Sequence, residues 1–461
     1  MKLVHDKTIA AISTPPGQGG IAIIRMSGPD TISIIDKIFV GKKRAAQLEP
    51  WKANLGKIYD EKVVVDEVIV TLFNAPNSYT REDMAEINCH GSTYVSITIL
   101  ELLIKHGAKL AMPGEFTFRA FMNGRLDLSQ AEAIGSLIQA KTASSLHASM
   151  AQLEGKLSSK ISEIRSELVD LCSLIELELD FAEEDVEFVS REDFVHSLNL
   201  VEEKIIGLIQ TYKMGRIARE GIRVVIAGKP NVGKSSLLNR IANENRAIVN
   251  EMPGTTRDVI EVQIDLHGIL YTISDTAGIK ATDNPVENEG IFRAKRMVEI
   301  ADIILHVFDG SIKLEKEDRD IMVALKTSPE KKIFRLINKI DKAQNIDKEM
   351  LINDDIPVFE VSAHTGEGIE RVKEALTTIT VENNHDIFNE EIIVTEIRHV
   401  QNLKRSLQSV QQAKKDAMLN VSSEFISVYL REALEYLGKI IGVVTSEDIL
   451  NNIFSKFCIG K

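Results

Sequence analysis

The chain is poor in cysteine and has no long apolar run. Its three cysteines, Cys89, Cys172 and Cys458, are far apart in 461 residues. Few, odd and widely spaced cysteines are typical of a protein in a reducing cytosol, not of a disulfide framework. No apolar run approaches a membrane span, and the N-terminus lacks the apolar core of a secretory signal. The sequence therefore predicts a cytoplasmic protein with no membrane partner.

Positive charge is also in deficit, because 55 Lys and Arg face 68 Asp and Glu and leave a formal net charge of −13. This balance argues against broad electrostatic adhesion to nucleic acid or to anionic membrane. Any RNA contact would need a local basic patch or a partner. With 44% hydrophobic and 27% charged residues, the chain is globular, and its length predicts two to four domains.

Residues 228–235 have the spacing of a phosphate-binding loop, between an apolar run at 224–227 and a helical pattern that begins at Ser236. Glycines in such a loop let backbone N–H groups approach phosphate oxygens. Lys234 would place its charge at the β- and γ-phosphates, and Ser235 would offer a hydroxyl to Mg²⁺. The context predicts a P-loop nucleotide site.

Three further motifs follow in order and predict GTP as the nucleotide: 275–278, 338–341, and Ser362-Ala363, which would brace the base. Asp275 would hold Mg²⁺ through water, and the amide of Gly278 would contact the γ-phosphate. Asp341, in Asn338-Lys339-Ile340-Asp341, can accept from the ring N–H and 2-amino group of guanine, a donor pair that adenine lacks. The residues expected around GTP are Asn231, Val232, Gly233, Lys234, Ser235, Ser236, Asn250, Thr255, Thr256, Asp275, Thr276, Ala277, Gly278, Asn338, Lys339, Asp341, Ser362 and Ala363.

The segment 253–258 between the first two motifs reads as a mobile switch, in which Thr256 would reach Mg²⁺ when the γ-phosphate is present. Signalling GTPases place a water-orienting glutamine where this chain has Ile279. Either another group orients the water or hydrolysis is slow. Asn231 and the loop 250–252 could bind a monovalent cation beside the phosphates; alternatively, Asn231 only stabilises the loop.

The pattern around these motifs predicts a multidomain fold. Residues 1–120 alternate short β-like runs with turns, as at Ile21–Arg25, Val63–Phe73 and Met84–Asn88. Apolar residues then step by three and four from Leu146 to Ile175, which predicts one long helix, and a second is expected at about 192–213. The predicted domains are an α+β domain at 1–121, a discontinuous helical bundle at 122–215 and 383–461, and an inserted α/β P-loop GTPase at 216–382 with a mostly parallel sheet and helices on both faces.

Five segments give the whole chain a resemblance to a known family: 14–17, 113–117, 123–128, 253–258 and 457–461. The sequence resembles the MnmE (TrmE) family of tRNA modification GTPases. The resemblance implies a homodimer formed by an N-terminal folate-binding domain, and a flavoprotein partner, MnmG, which carries FAD. It also implies modification of carbon 5 of the wobble uridine in tRNA, with an aminomethyl-type group. The one-carbon donor would be 5,10-methylene- or 5-formyl-tetrahydrofolate.

The resemblance also assigns ligands and a catalytic residue. K⁺ would be bound by Asn231 and Thr255 and by backbone oxygens of Asn250 and Met252, whereas Mg²⁺ would be bound by Ser235 and Thr256. Glu287 would position the attacking water through a bridging water and act with Lys234 and Asp275. Glu289 is a nearby alternative.

For folate, the resemblance implies Arg25, Glu86, Arg125 and Lys461. A carboxylate such as Glu86 can pair with the N–H and amino edge of a pterin, and the cations can pair with the glutamate tail. Cys458 could be a reactive thiol or one packed beside the folate site, whereas a lipidation site fits the terminus poorly. Arg81 stands where the family has glycine, and would be strained if that position needs a positive φ.

A second class of function fits the GTPase motifs equally well. A regulatory switch for ribosome assembly or signalling would act by binding partners and would carry no modification chemistry. The first 120 residues and the terminal Cys-Ile-Gly-Lys favour the enzyme, because a pure switch needs no one-carbon site.

Overall fold

The computed structural model describes residues 7–180, 190–244, 261–275, 297–326, 331–352, 355–382, 392–457 and Gly460. The chain divides into two compact units. The first contains 1–138, 151–207 and 398–461, and the second contains 139–150 and 208–397. Residues 139–150 thus group with the GTPase segment, whereas the sequence assigned them to the helical domain. The domain boundaries predicted from the sequence, which divide the chain into four segments, stay a prediction.

A seven-stranded sheet with the strand order β3-β4-β5-β6-β2-β1-β7 forms the N-terminal part of the first unit. Alternate residues of β2, such as Ile24 and Met26, are buried against helices α1 and α2, so Arg25 lies on the opposite face. The predicted α+β character is confirmed. The elements are β1 (Ile9–Ile12), β2 (Ile21–Ser27), α1 (Thr31–Ile38), β3 (Phe39–Gly41), β4 (Asn54–Asp60), β5 (Val63–Phe73), β6 (Met84–His90), α2 (Thr93–Lys105), β7 (Lys109–Leu110) and α3 (Glu115–Met122).

Helices follow, and the predicted long helix is interrupted. Gly155 has a φ of +83° and separates α5 from α6, so the prediction of one uninterrupted helix was wrong. Leu146 and Met150 of α5 are partly exposed, whereas Ile161 and Leu168 of α6 are fully buried. The described helices of this stretch are α4 (Leu128–Gln139), α5 (Ala143–Leu153), α6 (Lys156–Asp180), α7 (Arg191–Gln210) and α8 (Tyr212–Glu220).

The second unit contains a six-stranded sheet with the order β13-β12-β11-β8-β10-β9. All its neighbouring strands are parallel except β9 and β10. Apolar residues of α9 and α12 pack on one face and those of α10 on the other, as predicted for a P-loop GTPase. The elements are β8 (Ile222–Ala227), α9 (Lys234–Glu244), β9 (Glu261–Leu266), β10 (Ile269–Asp275), β11 (Ile303–Asp309), α10 (Lys316–Lys326), β12 (Lys332–Asn338), α11 (Glu349–Ile352), β13 (Val358–Glu360) and α12 (Ile369–Glu382).

The last helices return to the helical part of the first unit, as the prediction of a discontinuous helical domain requires. They are α13 (Ile397–Met418), α14 (Ser423–Ile441) and α15 (Glu447–Phe454). Gln411 of α13 donates to Glu202 of α7 at 2.7 Å, and Arg431 of α14 donates to Glu176 of α6 at 2.7 Å. Among the described helices, none has the length and apolar character needed to cross a membrane.

Candidate functional site

The phosphate-binding loop lies at the carboxyl end of β8, between that strand and α9. Lys234 is almost fully buried, and its Nζ donates to the carbonyls of Gly228 and Lys229 at 2.8 and 2.9 Å. Burial lowers the pKa of Lys234 from its usual value, although the charge of Asp275 acts in the opposite direction. A phosphate beside this ammonium would favour its charged form, so the loop suits an anionic ligand.

The hydroxyl of Ser235 and the carboxylate of Asp275 meet at the same end of the sheet. Ser235 Oγ donates to Asp275 Oδ2 at 2.6 Å, and Asp275 is fully buried at the end of β10. Oxygen ligands of this kind, together with phosphate oxygens and waters, suit Mg²⁺, which rarely takes an all-protein cage. The two side chains fit the magnesium site expected from the sequence.

Asn338 joins the guanine motif to the phosphate loop. Its Nδ2 donates to the carbonyl of Val232 at 2.8 Å, and its Oδ1 accepts from the backbone N–H of Ala363 at 2.9 Å. Gly233 has a φ of +99°, and a Cβ there would lie 2.2 Å from Asn338 Nδ2. This close approach requires glycine. Three of the four sequence motifs are therefore joined by one buried amide.

Asp341 and Lys339 complete the base side of the site. Asp341 Oδ1 accepts from Ser362 Oγ at 2.6 Å, and this hydrogen bond lowers the pKa of the carboxyl. Lys339 Nζ donates to the carbonyl of Asn231 at 2.8 Å and to Asp309 Oδ2 at 2.6 Å. The ionised Asp341 is exposed and can accept from a base edge. The exposed Asn231 side chain is the one described member of the predicted K⁺ set.

The sequence analysis did not predict an ion pair that joins the phosphate loop to the start of α10. Lys229 Nζ lies 2.8 Å from Asp318 and 2.8 Å from Glu315, where α10 begins. Lys229 and Asp318 are both buried, whereas Glu315 is exposed. Burial lowers the pKa of Lys229, but the two carboxylates outweigh this effect and raise it overall. A basic residue inside the loop was the only available sequence signal.

A second group of functional candidates lies on the face of the seven-stranded sheet opposite α1 and α2. Arg25 and Glu86 are register partners on β2 and β6. Arg25 Nε and Nη2 both donate to Glu86 Oε1, at 3.0 and 2.7 Å. No described residue donates to the other oxygen, Oε2. The carboxylate is therefore charge-balanced and still has an oxygen that can accept from a ligand.

Tyr79 brings Arg125 to the same place. The Arg125 guanidinium lies 4.7 Å above the Tyr79 ring, and that of Arg25 lies 5.4 Å from the same ring. Burial raises the pKa of Tyr79, whose hydroxyl lies 2.9 Å from Thr117 Oγ1. A cavity of about 440 Å³ opens beside these residues, and its lining consists of Trp51, Phe73, Pro76, Asn77, Ser78, Tyr79, Arg81, Met84, Glu86 and Arg125.

The C-terminal end of the chain packs against the N-terminal sheet. Ser13, just after β1, donates from Oγ to the carbonyl of Gly460 at 3.0 Å. Gly460 has a φ of +93°, and a Cβ there would lie 2.5 Å from the carbonyl oxygen of Ile12. Gly460 therefore lies against the end of β1.

Comparison with known proteins places the chain in a family. The family model described as the GTP-binding protein TrmE N-terminus matches residues 8–125, and that of the MnmE helical domain matches residues 128–458. The tRNA modification GTPase MnmE of Acetivibrio thermocellus is 42% identical over 100% of both chains. The MnmE protein of Flavobacterium johnsoniae is 40% identical over 100% of both chains. That of Chlorobaculum tepidum is 41% identical over 99% of this chain and 98% of the relative.

The chain belongs to the MnmE family. The resemblance predicted from the sequence is thus confirmed.

In this MnmE-family chain, the described site residues form two groups, one around the phosphate loop and one around Tyr79. The loop also contains Val232 and Gly233, and the exposed Ser236 follows it in α9. Several expected residues lie outside the described residues: Asn250, Met252, Thr255, Thr256, Thr276, Ala277, Gly278, Glu287, Glu289, Cys458 and Lys461.

Backbone conformation marks both sites of this MnmE-family chain. Seven described residues other than glycine have a positive φ, and four of them lie at the two sites. These four are Trp51, Arg81, Asn231 and Lys339. Arg81 has a φ of 61°, so the strain expected for arginine at a glycine position is present. Such conformations persist where surrounding contacts impose them, which is often the case at functional sites.

Proposed function

We propose that this chain is a potassium-activated GTP hydrolase that modifies carbon 5 of the wobble uridine in tRNA. It would act in the cytoplasm as a homodimer formed through the N-terminal domain, together with the flavoprotein MnmG, which carries FAD. A tetrahydrofolate derivative, 5,10-methylene or 5-formyl, would supply the one-carbon unit. The observation that carries the proposal is the presence of two built sites in one chain, a guanine-nucleotide site and a charged cavity in the N-terminal sheet.

The chemistry of GTP hydrolysis is assigned to residues around the phosphate loop. Lys234 would bind the β- and γ-phosphates, and Ser235 and Thr256 would hold Mg²⁺ with Asp275 behind them. Glu287 would orient the attacking water, because the glutamine of signalling GTPases is replaced by Ile279. Bound K⁺ would supply positive charge beside the phosphates, as an arginine finger does in other GTPases.

The cation set fits the part of the loop that the structure describes. Asn231 has a φ of 62°, and its carbonyl is already engaged by Lys339. Its exposed side chain therefore contributes the remaining oxygen, a ligand type that suits a hard monovalent cation. Thr255 and backbone oxygens of Asn250 and Met252 would complete the set.

The folate site is assigned to Arg25, Glu86, Arg125 and Lys461. Glu86 Oε2 could accept from the N–H edge of a pterin while Arg25 balances its charge. The contact between Gly460 and Ser13 supports the assignment of Lys461, because Gly460 directly precedes Lys461 in the sequence. The four-segment domain division predicted from the sequence is part of this proposal.

The experiment that tests the proposal is GTP hydrolysis by the purified chain in potassium and in sodium at equal ionic strength. We expect much faster turnover in potassium, and loss of that difference in Asn231→Ala with GTP binding retained. Equal rates in the two salts would remove the cation mechanism. They would favour the alternative, a partner-activated switch GTPase without modification chemistry of its own.

A further inference from the structure

Trp51, the only tryptophan of the chain, stands at the rim of the 440 Å³ cavity in the N-terminal sheet. It is a large aromatic residue, yet 64% of its surface is exposed. Its single described ring contact is with Phe73, edge to face, with the centroids 4.8 Å apart. One such contact leaves at least one face of the indole uncovered, and that face is available to a ligand.

The backbone of Trp51 is held in a defined conformation. Trp51 has a φ of 64°, which is uncommon for a bulky residue, and its N–H donates to the carbonyl of Leu72 at 2.8 Å. Strain of this kind is maintained only when surrounding contacts impose it. The backbone thus fixes where the side chain starts, and the contact with Phe73 orients the indole.

Trp51 and Glu86 line the same cavity, and the register of the sheet relates their positions. Phe73, which the indole contacts, lies two residues along β5 from Thr71, and Thr71 is the register partner of Glu86. Two strand residues span about 7 Å, with both side chains on the same face. A ligand that occupies the cavity of about 440 Å³ can therefore direct a polar edge to Glu86 while the face of its ring lies on Trp51.

We propose that Trp51 is the stacking platform that binds the pterin ring of the folate in this cavity. The inference rests on the folate site proposed above and adds to it the residue that recognises the flat ring. A pterin presents a ring N–H beside an amino group, and both can donate to the carboxylate of Glu86. A uracil ring presents only one N–H, between two carbonyls, and therefore pairs less well with a carboxylate. The chemistry thus favours a pterin over a uracil base of tRNA.

The test measures binding of 5-formyl-tetrahydrofolate to the full chain by calorimetry, for the wild type and for Trp51→Ala, Trp51→Phe and Tyr94→Ala. Tyr94 is the matched control, because it is an exposed aromatic residue of the same unit and lies outside the cavity lining. Stacking on an aromatic side chain predicts about tenfold weaker binding in Trp51→Ala. Trp51→Phe should stay within a few-fold of the wild type, and Tyr94→Ala should match it. Unchanged GDP binding and thermal unfolding show that a variant has folded.

Fluorescence supplies a signature that loss of structure alone would not give. Because the chain has one tryptophan, the wild-type emission should change on ligand addition and saturate at the concentration at which the heat signal saturates. The same relative loss in Trp51→Ala is expected with a pterin that lacks the glutamate tail. An emission that does not respond to saturating ligand would overturn the stacking.

The remaining outcomes separate the two proposals. Equal folate affinity in wild type and Trp51→Ala would refute the role of Trp51 and leave the folate site standing. A wild-type chain that binds GDP but not the folate would refute the folate site itself. Weakened tRNA binding in Trp51→Ala with unchanged folate affinity would assign the indole to a nucleobase and overturn the inference.

Discussion

Lys229 of the phosphate loop and Asp318 of α10 form a buried ion pair with Nζ and Oδ2 2.8 Å apart. The carbonyl of Lys229 in turn accepts from Lys234 Nζ. Lys229 thus connects Lys234, the lysine of the phosphate motif, to the start of α10, the helix that follows β11. These contacts fix the backbone that would bind the phosphates.

Lys229→Met should destabilise the GTPase unit and weaken GDP binding. The substitution leaves Asp318 buried without its partner, which costs roughly 3–5 kcal/mol of unfolding free energy. Lys229→Arg keeps the charge and should recover most of the loss. Chemical denaturation and GDP titration measure both effects. Lys348→Ala is the control, because its ion pair with Glu360 is exposed and contributes at most about 1 kcal/mol to the free energy of unfolding. An equally small loss of stability in Lys229→Met would contradict the role of the buried ion pair.

Stability of the GTPase unit should fall in mild acid because of His306. Burial, and then the charge of Arg335, lowers the pKa of His306 from 6.5 to about 3, although Asp318 acts in the opposite direction. The unfolded chain therefore binds the proton first. The contribution of His306 to the free energy of unfolding is fully present above about pH 6.5. It is lost as the pH falls towards 3, by roughly 1.4 kcal/mol per pH unit.

The pH dependence is measured by chemical denaturation of wild type and His306→Gln between pH 7 and about 4. The variant should lose stability less steeply than the wild type. The exposed His147, in the same unit, provides the control His147→Gln, which should keep the wild-type slope. Identical slopes for all three proteins would show that His306 does not set the acid sensitivity.

Asp341→Asn should reduce the preference for guanine. The carboxylate, held by Ser362, accepts from two donors of the base, and the amide that replaces it can accept only with its one oxygen. Loss of a charged hydrogen bond predicts about 10- to 100-fold weaker GTP binding, and a relative gain for xanthosine triphosphate. Competition binding with GTP, ATP and XTP measures the change. An unaltered order of preference would refute the assignment.

Glu287→Ala should retain GTP binding and lose most of its hydrolysis. A residue that orients water acts in the transition state, so kcat should fall while the affinity for GTP is kept. Glu289→Ala, two residues further on, is the matched control. Single-turnover hydrolysis and nucleotide titration separate the two effects. Normal turnover in Glu287→Ala, with a loss in Glu289→Ala, would transfer the role to Glu289.

Glu86→Gln should weaken binding of 5-formyl-tetrahydrofolate by about tenfold or more, because Oε2 then no longer carries charge and Arg25 loses its partner. GTP hydrolysis without tRNA should be unchanged, because Glu86 lies in the other compact unit. Calorimetry and a phosphate-release assay measure the two quantities. Glu101→Gln, an exposed carboxylate of α2, is the control. Equal folate affinity in both variants would exclude Glu86 from the site.

Local signals in the sequence predicted most individual elements. The run at Val63–Phe73 was predicted and found with the same bounds, because alternating β-branched residues favour a strand that is buried on one face. The helical spacing of apolar residues from Leu146 to Ile175 was less informative. Leucine and isoleucine at helical spacing continue through Gly155, and periodicity alone did not show that its positive φ ends one helix before the next begins.

Side-chain contacts between distant segments were beyond sequence reasoning. Trp51 and Phe73 are far apart in the chain, and neither belongs to a motif that the sequence analysis singled out. The sequence did not predict that Asp318 pairs with Lys229, because a carboxylate at the start of a helix is common. Both contacts depend on strand order and register, which short-range patterns do not encode.

The sequence by itself determined the chemistry of the nucleotide site. The glycine spacing, Lys234, Ser235 and the carboxylate of Asp341 act through local backbone geometry and hydrogen-bond type, which are fixed within a few residues of chain. Only the tertiary structure decided that Arg25, Glu86 and Arg125 meet around Tyr79 at a cavity with Trp51 at its rim. The physical reason is that strand pairing sets which side chains share a face, and this pairing joins residues that are distant in the chain.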